Sequence, residues 1–256
     1  MLVYLLAFHL QGGLDADDHI TQGFVLVDAP APEERAASLV EYLNTLPFSI
    51  AVLIVLAAAT VTGGLRTAAG AAAIFAGANV TTQLLQAATE HPRAGEFLTV
   101  TQWPSGHATA ATSLSVCVVL VTPARARPAM AALATLGLLT IGFSILLTGS
   151  HRISDVLAGI LVVGAWTGLV GAALLPFAPP NAAGARAAAW AAAAAAVVAL
   201  AVLAVIVLEG LPPRRYVPAV AAGAAGVAIL AAAVVGAAAR LPAPVRARRL
   251  TRAPTR

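Results

Sequence analysis

The stretch GSHRISDVLAGILVVGAWTGLVGAALL, residues 149–175, joins a polar island to an apolar run. Its last twenty residues, Val156 to Leu175, carry no charge. About 20 apolar residues carry an α-helix across the hydrocarbon core of a bilayer. The seven residues before them hold His151, Arg152 and Asp155. Ionisable groups at the mouth of a membrane helix are costly to keep and usually functional.

The rest of the chain repeats the pattern. Of its 256 residues, 60% are hydrophobic and 10% charged, against about 25% charged in soluble domains. The mean hydropathy is +0.88. The apolar runs are continuous Ala/Val/Leu stretches, which excludes the alternating strands of a membrane barrel. The fold class is therefore all-α, a polytopic transmembrane bundle. Spans are predicted at Phe48–Thr62, Thr67–Ala88, His107–Thr122, Ala129–Thr148, Ile153–Leu175, Ala187–Leu208 and Val217–Ala239. The last two are rich in Ala and read as scaffold, because small residues let helices approach closely.

Four regions follow: 1–47, 48–176 as the core, 177–239 with the two C-terminal spans, and a basic tail at 240–256. Met1 to Leu10 reads as a short first helix, without the basic start or cleavage site of a signal peptide. Asp17, Asp18 and His19 read as a solvated acidic loop. From Pro32 on, Ala36, Leu39, Val40, Leu43 and Leu46 recur at helical spacing, which predicts an amphipathic surface helix.

All 15 basic residues are arginine, a usage that points to a GC-rich, bacterial coding bias. Arg66, Arg125, Arg127, Arg186 and the tail arginines fall on one side of this layout. By the positive-inside rule that side is cytoplasmic, in the plasma membrane. The acidic segment and both polar islands then share the extracytoplasmic face, with Arg214 and Arg215 as exceptions. The lone cysteine, Cys117, sits in an apolar run and reads as a packing residue.

The second island is Trp103-Pro104-Ser105-Gly106-His107. It opens a helix at once, so backbone N–H groups, a hydroxyl and a histidine converge where an oxyanion can bind. In the first island His151 and Asp155 are four residues apart, on one helix face. A carboxylate there orients the imidazole and sharpens its other nitrogen as a nucleophile or base. Two histidines, one held by an acid, beside an anion cradle make an inventory for phosphoryl transfer. Such transfer needs no metal or other cofactor.

These residues resemble the type 2 phosphatidic acid phosphatase (PAP2) superfamily, whose motifs are K-x6-R-P, P-S-G-H and S-R-x5-H-x3-D. The second matches at Pro104–His107 and the third at Ser144, His151 and Asp155. The resemblance implies a PAP2-like core with His151 as nucleophile, Asp155 as its orienting acid and His107 as general acid. Ser105 and Gly106 would cradle phosphate. It implies a lipid phosphate or polyprenyl pyrophosphate as substrate, membrane lipids as surroundings and no nucleic acid partner; it sets no oligomeric state.

The cationic clamp departs from the pattern. Ile145 stands in place of the third-motif arginine. In the first motif Pro92 follows His91 where arginine belongs, and Leu84 occupies the lysine position. One lost electrostatic donor in a dry site costs about 10²–10³ in rate. His91, Arg93 and Arg152 are the candidates to replace the missing charge. The principal rival is an inactive relative that binds a phosphorylated lipid without hydrolysing it. A Ser105/His151 hydrolase lacks the glycine of a nucleophile elbow at Trp103. A zinc site built from His91, His107, His151 and Asp155 leaves the P-S-G-H turn unused. A transporter needs a charge near the middle of a span, and none is there.

Overall fold

The computed structural model describes residues 11–26, 30–89, 103–174, scattered positions between 184 and 194, and 214–241. The predicted first helix, His91, Arg93, most of the 187–208 span and the tail beyond 241 lie outside the described residues. Seven α-helices are described: α1 Gln11–Val25, α2 Pro30–Tyr42, α3 Leu46–Ala88, α4 Gly106–Val121, α5 Arg127–Leu147, α6 Ile153–Leu174 and α7 Val217–Arg240. Helices α3, α5, α6 and α7 are long and apolar enough to cross a membrane. The chain is a multi-pass, all-α membrane protein.

Helix α3 is two spans in one. Gly64 breaks it with φ 70° and ψ −174°, a conformation open essentially to glycine alone. Asn44, just before the first arm, and Gln86, near the end of the second, line one cavity. The arms therefore run antiparallel, as the two predicted spans require. At about 1.5 Å per residue the first arm is roughly 27 Å long and the second roughly 36 Å. Proline in the first turn starts α3, α5 and α7, where its missing N–H costs nothing.

Helix α4 is the axis of the bundle and touches α3, α5, α6 and α7. Its buried face mixes Thr109, Thr112 and Ser113 with Val116, Cys117 and Leu120. The hydroxyls are satisfied locally, as Thr112 Oγ1 donates to Ala108 O at 2.6 Å. Small residues set the spacing here. A Cβ on Gly159 of α6 would lie 2.8 Å from Ser105 O, so the α4–α6 crossing depends on that glycine.

Two expectations change. Asp17, Asp18 and His19 are not in a solvated loop but on α1, and Asp17 is buried. Its Oδ1 accepts from Ser154 N at 3.0 Å and its Oδ2 from Ser154 Oγ at 2.8 Å. A carboxylate is drawn there because the first amides of α6 have no intrahelical acceptor. The helix expected from Pro32 is α2: Ala36 and Val40, with Leu43 just beyond its end, are buried while Leu39 is 41% exposed, and the helix packs on α5. Arg127 is not a surface charge. It is buried, and its guanidinium donates to Leu120 O at 3.0 Å, Thr122 O at 3.1 Å, Ala239 O at 3.3 Å and Leu241 O. It closes the C-terminal ends of α4 and α7, whose last carbonyls lack partners in their own helices. Arg66, Arg125 and Arg240 are exposed at that same end, opposite the two polar islands.

Candidate active site

Each island is built on a helix start. Ser105 is the N-cap of α4, and its hydroxyl accepts from Ala108 N at 3.3 Å. Its own N–H donates to Asp155 O at 2.9 Å. That bond joins the two islands across 50 residues of sequence. Helix α5 ends at Thr148, and Gly149 follows at φ 61°, the left-handed C′ position that glycine favours. The chain then turns through His151 into α6. Asp155, in the first turn of α6, reaches back to accept from Arg152 N at 3.0 Å, the reciprocal half of a capping box.

This places His107 and His151 face to edge, with ring centroids 6.0 Å apart. His151 Nδ1 lies 3.5 Å from Asp155 Oδ2, beyond a good hydrogen bond but within a small ring rotation of one. His151 Nδ1 and Asp155 Oδ1 are both buried and have no hydrogen-bond partner among the described residues. Buried polar atoms without partners are costly, and a small rotation of the ring brings Nδ1 within hydrogen-bond reach of the carboxylate.

Both histidines open on a cavity of about 320 Å³. Gly106 forms part of its wall, and Asn44, Asn79, Thr82, Gln83 and Gln86 form the other sides. Gln86 Nε2 donates to Pro104 O at 2.7 Å and so steadies the P-S-G-H turn. Asn44 Nδ2 donates to His107 Nε2 at 3.2 Å. A second, apolar groove of about 310 Å³ runs beside the first, between the start of α3, α4 and α5. Leu43 lines both.

The predicted residues separate into groups. His107, His151, Asp155 and Gly106 come together. Ser105 is fully buried and serves the site as a cap, outside the cavity wall. Arg152 is not brought to the cavity and this is a correction: it is buried against α1, paired with Asp18 and, at 4.0 Å, with Asp17. The two carboxylates of α1 give that fork charge-assisted partners away from the cavity. His91 and Arg93 lie outside the described residues. Leu84 is 66% exposed and faces away from the cavity, while Gln83 and Gln86 face it. Ile145 is fully buried in the apolar core.

Burial pushes the Asp17 carboxyl up to about 6; the Ser154 bonds oppose the rise, Asp155 adds to it and Arg152 opposes it. Asp17 and Asn44 were not legible as site residues. Asp17, two residues before His19, and Asn44, just ahead of a helix start, belong to neither polar island and to no motif.

The family model of the PAP2 superfamily matches residues 51–179. No curated protein matches the chain. Among solved structures, the first transmembrane PAP2-type phosphatidylglycerolphosphate phosphatase from Bacillus subtilis is similar, with a TM-score of 0.52 and 18% identity. The match covers 67% of this chain and 91% of that one. With half the sequence inside the family model and the paired histidines at its mouth, the chain belongs to the PAP2 superfamily.

Proposed function

We propose that this protein is a membrane phosphatase that removes phosphate from a lipid phosphate or a polyprenyl pyrophosphate. The observation that carries the reading is the facing pair His107 and His151, backed by Asp155, at a polar cavity that adjoins an apolar groove. The hydrocarbon chain lies in the groove and the phosphate in the cavity.

His151 Nε2 attacks phosphorus and the bond to the alkoxide oxygen breaks. Protonated His107 gives its proton to that oxygen. Water then attacks the phosphohistidine, the P–N bond breaks, and neutral His107 takes the proton of the water. Asp155 orients His151 and balances its charge. Gly106 and the first-turn amides of α4 cradle the phosphate, with Ser105 holding that turn. His91 and Arg93 supply positive charge from the segment before Trp103. The site faces the extracytoplasmic side of the plasma membrane.

A second reading is a binding protein without turnover. Its support is the amide-lined wall, where the described residues place Gln83 and Gln86 and no arginine. The deciding experiment is phosphate release by purified protein in detergent, with chelator present, from long-chain and short-chain phosphatidic acid. His151→Ala should lower turnover by at least about 10³-fold. Gly137 lines the groove, and a Cβ there meets nothing within 4 Å. Gly137→Leu should therefore raise KM for the long chain severalfold and leave the short one unchanged. Binding without release by wild type selects the second reading.

A further inference from the structure

Asn44 lies before residue 51, outside the part of the chain that matches the family model. It sits in the turn between α2 and α3. Three backbone bonds hold that turn: Leu43 N to Val40 O at 3.2 Å, Asn44 N to Glu41 O at 2.9 Å and Thr45 N to Tyr42 O at 3.0 Å. From this fixed support the side chain reaches the cavity and donates to His107 Nε2 at 3.2 Å.

The bond has a chemical consequence. It occupies Nε2 and leaves Nδ1 as the nitrogen that exchanges a proton with the reacting groups. In the resting, neutral ring Nε2 accepts and Nδ1 carries the proton. When the ring takes a second proton from solvent, Nε2 becomes a donor, and the amide meets it by turning its carbonyl. Nδ1 then gives its proton to the departing alkoxide, and the ring stays held through Nε2. Bare Nδ1 next accepts the proton of the attacking water. An amide can serve both states because it has a donor and an acceptor; a carboxylate only accepts and an ammonium only donates.

Among the described residues Asn44 is the one side chain hydrogen-bonded to His107; the amides of Gln86 and Asn79 are engaged with Pro104 O and with Phe75 O and Ser113 Oγ. His151 stands across the cavity with Asp155 behind it, and α3 contributes the neutral Thr82, Gln83 and Gln86. Arg152 is tied to Asp17 and Asp18. Resting on the phosphatase reading above, we infer that Asn44 is a positioning residue that sets which nitrogen of His107 exchanges the proton and supports the ring in both protonation states.

The test compares wild type, Asn44→Ala and Asn44→Asp in detergent, with short-chain phosphatidic acid as substrate. Two readouts are used: the pH–rate profile, and the ¹⁵N resonances of the His107 ring. Asn44→Ala should lower kcat on the order of 10- to 100-fold with little change in KM. Asn44→Asp should favour the doubly protonated ring and move the alkaline limb of the profile up by about one pH unit. Phosphoenzyme should accumulate in that variant, because the base that activates water is scarcer. An unmoved profile in Asn44→Asp overturns the inference, as does a loss confined to KM. If wild type releases no phosphate, the phosphatase reading fails by itself. The ring resonances then judge Asn44 alone: an identical His107 tautomer in wild type and Asn44→Ala overturns its role.

Discussion

Asp17 is the residue whose chemistry departs most from its place in the sequence. It caps α6 through Ser154, next to Arg152 and one turn from Asp155. Its carboxyl is raised from 3.8 to about 6 by burial. A raised acid binds more protons in the folded state, so its contribution to stability is full below 3.8 and is lost as pH rises through about 6. The window is worth at most about 3 kcal/mol. Docking of α1 should therefore loosen between pH 4 and pH 6, and Asp17→Asn should flatten that dependence. Hydrogen exchange of the α1 amides measured across this range checks it; equal slopes in wild type and variant would contradict the assignment. Arg152 has the same lesson in charge. Its position beside His151 suits a phosphate ligand, yet its guanidinium is turned to α1.

Helix α6 carries Asp155, with His151 in the turn just before it, and its distance from α4 is set by Gly159. Alanine there would bring a methyl within 2.8 Å of Ser105 O and 3.0 Å of Thr109 Oγ1. Both are held: Ser105 O accepts from Thr109 N at 3.0 Å and from Thr109 Oγ1 at 2.9 Å. The helices must separate, and the histidines with them. A misplacement of about 1 Å in a reacting pair costs on the order of 100-fold in rate. Gly159→Ala should lower kcat by about 10- to 100-fold with helix content retained. Gly168→Ala, on the same helix with nothing within 4 Å of the added methyl, should leave turnover unchanged. Circular dichroism beside the phosphate assay separates the two effects; equal activity of both variants would remove Gly159 from the argument.

The bundle as a whole is polarised. One end gathers α1, the α2–α3 turn, both histidines and the cavity, with Arg214 and Arg215 as exposed exceptions; the other exposes Arg66, Arg125 and Arg240, the last opening the arginine-rich C-terminal sequence. Arginine is retained on the cytoplasmic side of membrane helices, so the cavity end should face outward. Glu41 is exposed at that end, and Cys117 is buried at 1% exposure. Glu41→Cys should therefore react with a membrane-impermeant maleimide in intact cells. Labelling that appears only after lysis would invert the topology.

The all-α membrane class of the chain, the positions of its described long helices and its two polar islands were legible in the sequence. Apolar length against bilayer thickness is a local property, and P-S-G-H with His151 and Asp155 are short contiguous patterns. The break at Gly64 was legible too, as the gap between two predicted spans. The roles of Asp17, Asn44, Arg127 and Arg152 were decided only by tertiary structure. Each acts on a helix end or ring that another part of the chain supplies: Ser154 for Asp17, His107 for Asn44, Ala239 and Leu241 for Arg127, Asp18 for Arg152. Which orphan backbone group or which charge a polar side chain meets depends on how helices distant in sequence pack, and no local pattern encodes that.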